Sequence, residues 1–406
     1  MAARKREKRT AAPAPRSATR LLWWTLLLLV WPGAAFALAK FSPYAFGGAT
    51  YHSNVFYFSG DDEARVFTGD DRQDDRIVHY GAGLDLAYEW GQQKLHASGL
   101  ARQLDFGHFE QLDHDEYAFD LGFAWKLGSA VDGSFDYDQE RRMAPFAERN
   151  STELVLETAR EGAARFNLAV TPEWRIESGL IASELQSPLP EFPDFALEEE
   201  TVALAVKYLG AGLAAWGLAS EYGQGEFRGV PGGGDFDETK LELTMDYTVP
   251  DLTGLSARAG ATRRDAGIGD PRTEFTGALG YYRQLSAKTV FKTGVFRRVE
   301  SFVGGPTAVL ETGAELELNW QASDKTSVFG SYEYAHGEFQ QAFADSPGDR
   351  IDRTHTVALN LSYKALPWLS IRPNLRHQRR ASNVDLESHR ASIGGIEFEI
   401  RFGGRE

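Results

Sequence analysis

The chain reads as an all-β protein: a single antiparallel transmembrane β-barrel of about eighteen strands behind a cleaved signal peptide. Three observations carry that reading. Apolar and polar residues alternate over long segments, the connections between segments alternate between short and long, and the N-terminus has the order of an export signal.

The export signal comes first. Arg4, Lys5, Arg6, Lys8, Arg9, Arg16 and Arg20 precede an apolar run over 21–31. A Pro32-Gly33 break then leads to Ala35-Phe36-Ala37, with Ala37-Leu38-Ala39 as a second small-residue pattern. Positive charge, a short apolar core and small residues, in that order, describe a secretory signal. The run is short of the about 20 residues that a spanning helix needs. Residues 1–37 are therefore read as signal peptide and 38–406 as barrel.

Composition narrows the function. The chain holds 58 acids, 43 bases and no cysteine. Removing the seven bases and Glu7 of the signal leaves 36 bases against 57 acids, a net charge of −21. Nucleic acid needs a basic face and is excluded as a partner. Without cysteine there are no disulfides, thiolate metal sites or thiol nucleophiles.

The alternation is clearest in four places. Leu241, Leu243, Met245, Tyr247 and Val249 share one parity, and Lys240, Glu242, Thr244, Asp246 and Thr248 the other. Tyr117, Phe119, Leu121, Phe123 and Trp125 alternate with Glu116, Asp120 and Lys126. Leu316, Leu318 and Trp320 alternate with Glu315, Glu317 and Asn319; Val357, Leu359, Leu361 and Tyr363 alternate with Thr356, Asn360 and Ser362. Period two places the two sets on opposite faces of a strand. A tilted strand crosses a bilayer in about 9–11 residues. No stretch reads convincingly as a helix. Leu197–Lys207, which carries three consecutive glutamates, is read as a strand.

Short turns fall at 91–92, 128–129, 171–173, 210–211, 250–253, 286–287, 322–324 and 365–367. Long polar loops fall at 59–76, 107–114, 143–150, 188–196, 228–235, 265–271, 301–307, 341–351 and 381–386. Short turns on one side and long loops on the other belong to an outer-membrane barrel. A soluble sandwich does not need strands of spanning length.

On the inner parity, acids gather early and bases late. The lumen-facing candidates are Asp85, Glu89, Asp120, Asp136 and Asp138, then Arg264, Arg298, Arg376, Arg380 and Arg401. Opposed acidic and basic arcs would set a transverse field across a water-filled lumen; the alternative is local pairing between strands. Phe296, Tyr282 and Phe329 share the inner parity, while Tyr88, Trp90, Trp125 and Trp320 end strands on the outer face, as interfacial girdles do. Leu243→Arg should therefore be costly, and Glu242→Arg tolerated.

No catalytic centre, metal site or cofactor is expected. His108, Asp113, His114 and Asp115 share a loop, but no nucleophile motif accompanies them. The acidic loop 59–76 does not fit the spacing of a calcium-binding EF-hand.

Several stretches resemble the EpsL-type outer-membrane β-barrels of exopolysaccharide operons. They are Tyr51–Asp62, read as an Asn-x-Phe strand entering an acidic loop and followed by Asp74-Asp75-Arg76-Ile77; Pro172-Glu173-Trp174-Arg175-Ile176; Ala261-Thr262-Arg263-Arg264; Lys325-Thr326-Ser327-Val328; and Trp368-Leu369-Ser370-Ile371-Arg372 continuing to Arg379–Asn383. Ile396, Phe398, Ile400 and Phe402 are similar to a barrel's terminal strand, with Gly403–Glu406 as an overhang. The resemblance implies a role in making or exporting a surface polysaccharide. Its partners would be outer-membrane lipid, the barrel-assembly machinery, the exopolysaccharide and periplasmic export proteins. A pore for polysaccharide, a scaffolding barrel and a general diffusion porin remain open, and the polarity of the lumen leans towards an acidic glycan.

Overall fold

The computed structural model describes residues 39–149, 151–188, 193–210, 212–229, 234–266, 271–302, 307–340, 350–384 and 386–402. The signal peptide assigned to 1–37 lies outside them. Among the described residues, eighteen strands form one antiparallel sheet in sequence order, and β1 pairs with both β2 and β18, which closes the barrel. The strands are β1 Lys40–His52, β2 Asp75–Trp90, β3 Gln93–Phe106, β4 His114–Leu127, β5 Val131–Met143 and β6 Leu156–Ala169. They continue as β7 Trp174–Gln186, β8 Ala196–Tyr208, β9 Ala214–Arg228, β10 Asp235–Val249, β11 Thr253–Asp265 and β12 Arg272–Ser286. The last six are β13 Thr289–Phe302, β14 Thr307–Ser323, β15 Thr326–Gln340, β16 Ile351–Leu366, β17 Leu369–Ser382 and β18 His389–Arg401. Leu197–Lys207 lies within β8, and all eight short turns join hairpins.

Register follows the alternation. Residues directly opposite across a ladder share a face, so the pairing of Leu243 with Leu218 and Ala259 extends one apolar face around the wall. On that parity Leu218, Leu243, Phe275, Leu359 and Leu375 are all exposed. An apolar belt turned outward is stable only against lipid. Rings bound it: Tyr88 stacks on Trp90, Trp90 on Phe123, and Trp174 packs on Tyr208 at the short-turn end. At the other end Tyr117, Gln139 and Tyr137 form a hydrogen-bonded chain. Aromatic girdles with polar tips mark the two interfaces.

Three features depart from the sequence reading. The first loop contains a helix, α1 Asp61–Thr68, with three acids in its first turn and Gly69 in the left-handed region (φ 78°) as its C-terminal stop. β1 ends at His52, so the Asn-x-Phe segment is loop and not strand. Finally, the tip of the β13–β14 hairpin leaves the wall. The β12–β13 ladder reaches only Gly277 and Arg297, whereas β13 continues with β14 up to Phe302 and Thr307. There Ser301 Oγ accepts from Arg264 Nη2 on β11 (3.0 Å) and donates to Glu199 Oε1 on β8 (2.7 Å), five strands away. Leu310, on the parity of lipid-facing Leu316 and Leu318, is 3% exposed. The end of the hairpin that carries Ser301 and Leu310 therefore leans into the lumen, across β9 to β12, on which inner-wall residues Glu242, Thr262 and Thr276 are buried.

Candidate functional site: the lumen and its mouth

An eighteen-strand barrel is wide enough for an aqueous channel. Its long-loop mouth is narrowed from two sides. On one side, Phe56 of the first loop packs edge-on against Phe109 and Phe146, from the loops after β3 and β5 (ring centroids 4.8 Å for each). These rings form an apolar core with Val55, Phe58, Ala64, Phe106 and Leu112. Asn54 ties the first loop: its Oδ1 accepts from Phe58 N, and its Nδ2 donates to Phe58 O and Arg390 O. Buried Asp75 turns the second loop by accepting from His108 N and Phe109 N. On the other side, Phe195, Leu197, Phe227 and Phe236 cluster on the inner wall beneath the folded hairpin tip. Arg264 lies 3.7 Å from the Phe236 ring.

All ten lumen-facing candidates fall on the inner parity of the ladders. Most are spoken for locally. Arg401 pairs with Asp85 and Glu399, because closure sets β18 beside β1 and β2. Asp136 pairs with Arg165 at 2.7 Å, and Glu89 with Lys94 at 3.7 Å. Arg298 is held by Glu300 (2.6 Å) and Glu311 (2.7 Å), and Arg264 by Glu238 (3.4 Å). Arg380 sits in a network with Asp352 and Glu387 and donates to Ala147 O of the third loop at 2.6 Å. Asp120 and Asp138 face each other, with His96 3.1 Å from Asp120. The separated arcs are thus replaced by pairs between neighbouring strands: inward acids such as Glu300, Glu311 and Glu399 stand among the late bases. Arg376 is different. It is exposed, and it donates a 3.4 Å hydrogen bond to Gln378.

Arg376 borders a surface that the sequence reading missed. Asn319, Phe329, Asn360 and Asn374 lie in one in-register row across β14 to β17, on the inner face. They line a recess of about 530 Å³ together with Gln321, Ser327, Ser362, Arg372 and Glu397. Val290, Trp320, Val328, Leu361 and Pro373 also line it. The amides and hydroxyls can meet sugar hydroxyls, and the apolar and ring surfaces can meet the faces of sugar rings. Two other inner rings lie flat across the strand beside them. A Cβ on Gly254 would meet Tyr282 at 2.1 Å, and one on Gly313 would meet Phe296 at 2.4 Å. A wall glycine is what admits each ring.

The loop histidines and acids do not converge. His114 lies 3.0 Å from Glu116 and 2.6 Å from Leu112 O, Asp113 accepts from Phe106 N, and His108 is 3.9 Å from Asp70. His377 Nδ1 is 2.8 Å from Ser392 Oγ on the outer face. No carboxylate orients that His377 ring among the described residues.

A closed barrel with an outward apolar belt and two aromatic girdles defines a bacterial outer-membrane β-barrel, and the outer membrane is where the protein resides. No family model matches the chain, and no curated protein is similar to it. Among solved structures it is similar to the siderophore receptor PirA from Pseudomonas aeruginosa, at 11% identity over 90% of this chain and 80% of that one, with a TM-score of 0.43. It is also similar to the FrpB iron transporter from Neisseria meningitidis (F5-1 variant, apoprotein form), at 10% identity over 84% and 62%, TM-score 0.49. The copper transporter OprC gives 11% identity over 87% and 63%, TM-score 0.43. These are likenesses of barrel form and carry nothing about a ligand; the fold rests on the closed ladder itself.

Proposed function

We propose that the barrel is an outer-membrane passage for a hydrophilic glycan, serving synthesis or export of a surface polysaccharide. One observation carries the reading: the water-exposed amide–aromatic row Asn319–Phe329–Asn360–Asn374 with Arg376 beside it on β17. A sliding polymer needs many weak, exchangeable contacts, and neutral amides offer them to sugar hydroxyls without trapping the chain. Arg376 adds a forked donor for a carboxylate, which favours an acidic glycan. The likeness to the EpsL-type barrels supports the polysaccharide assignment.

A second reading is a scaffolding barrel that holds export components. The narrowed mouth favours it, because the loop core must move before a polymer passes.

Charge reversal at Arg376 tests the first reading. Arg380, buried in its ion network, is unsuitable, since its reversal disrupts the third loop. Arg376→Glu is expected to lower surface polysaccharide several-fold while the heat-modifiable band of the folded barrel is unchanged. Unchanged polysaccharide with both Arg376→Glu and Asn360→Ala would remove the lumen row from the account.

A further inference from the structure

The outer face holds a second charged feature. Arg353 on β16, Arg379 on β17 and Arg390 on β18 are exposed near the long-loop end of the barrel. They share the parity of Leu359, Leu375 and Ile396, which faces lipid. His355, Arg379 and Arg390 stand in one in-register row, each directly opposite the next.

This arrangement is unfavourable by itself. Like charges directly opposite across strands are destabilising. Elsewhere outward arginines meet acids: Arg160 pairs with Glu184 at 2.9 Å, and Arg228 with Glu198 at 2.6 Å. Among the described residues Arg353, Arg379 and Arg390 make no ion pair, in a chain with 58 acids to 43 bases. The outward acid on β15, Glu338, lies 3.3 Å from His336 instead. The depth of the row is set by aromatic neighbours. Tyr334 packs on His355 with ring centroids 5.0 Å apart, and Tyr332 Oη is 2.9 Å from His355 Nδ1. Rings with polar tips on the lipid face sit at the headgroup level.

We propose that Arg353, Arg379 and Arg390 form a binding site for the phosphate of an outer-leaflet glycolipid. Guanidinium groups hold phosphate oxygens in forked geometry. An anion between Arg379 and Arg390 removes their repulsion, and the acyl chains lie along Leu359 and Leu375 below. The site is independent of any glycan passage, because it faces away from the lumen.

The test uses the full-length barrel in non-ionic detergent, with bis-phosphorylated lipid A and its dephosphorylated form as probes, read by native mass spectrometry. Wild type should retain the phosphorylated lipid about twenty-five-fold more strongly than the dephosphorylated one, since Arg379 and Arg390, each worth about fivefold at an anionic surface, multiply. Arg379→Gln/Arg390→Gln should lose that preference, and Arg228→Gln should keep it. Millimolar inorganic phosphate should not compete. Equal retention of the two lipids by wild type overturns the proposal even if the double variant fails to fold. Full competition by inorganic phosphate overturns the assignment to lipid.

Discussion

Asn54 shows how much of the mouth depends on a single side chain. Three of its hydrogen bonds fix the turn on which Val55, Phe56 and Phe58 enter the loop core, and it is buried. Asn54→Ala leaves Phe58 N–H unpaired, at about 1–3 kcal/mol. The expected outcome is faster amide exchange over 54–68 with strand protection unchanged; uniform exchange would mean that the loop is held by something else. Glu387, in the last loop, brings pH into the same core. Burial raises its pKa against the pull of Arg350 and Arg380, with Asp352 and Glu63 adding to the rise. A raised carboxyl stabilises the folded loops while protonated, below its unfolded value, and that contribution is lost as pH rises through the folded value. Relative to Glu387→Gln, wild type should therefore lose protease resistance at the loops as pH climbs from about 4 through the weakly acidic range. The difference between the two proteins separates Glu387 from the buried loop-end histidines His52 and His389. The lipid face is tested at Leu243. Leu243→Arg should cost about 2–4 kcal/mol at the membrane midplane, while Thr356→Arg, inward and opposite Glu333, should be tolerated. Glu242→Arg is no longer a neutral control. Glu242 is buried beneath the hairpin tip and paired with Lys240 at 3.2 Å, so its reversal is costly too. Urea titration of the refolded barrel in lipid ranks the three.

At the scale of elements, the strands were legible because period two and the turn residues agree along the whole chain. Thr253–Asp265 and Ile351–Leu366 fall where the alternation puts them. Helix α1 was missed because it is only eight residues long and mostly exposed. Its end signals were present: Asp61, Asp62 and Glu63 at the start, and Gly69 after the last turn. The inward fold of the β13–β14 tip was not legible at all. Parity states which face a residue takes in a wall; it does not state that the wall ends. The absence of cysteine makes the tip easy to test. Thr276→Cys, beneath the tip, should react slowly with a water-soluble thiol reagent, and excision of 300–309 should speed it manyfold. Thr356→Cys should react at one rate in both backgrounds. Fast labelling of Thr276→Cys with the tip intact would place the hairpin elsewhere.

For the whole molecule, strand count and closure followed from local signals, but the electrostatics did not. Which acid meets Arg401 depends on β18 lying beside β1, a contact between the two ends of the barrel. The row of Asn319, Phe329, Asn360 and Asn374 needs four strands in register before it exists. Single asparagines carry no such signal. In the proposed function the barrel encloses a water-filled passage that the first loop narrows. Planar-bilayer conductance tests it most directly, comparing wild type with a variant in which 54–73 is replaced by a short glycine–serine link. Steady conductance is expected in wild type, and a several-fold larger one in the variant. Silence from both proteins, with each shown to be folded by its heat-modifiable band, would contradict it and leave the scaffolding barrel standing.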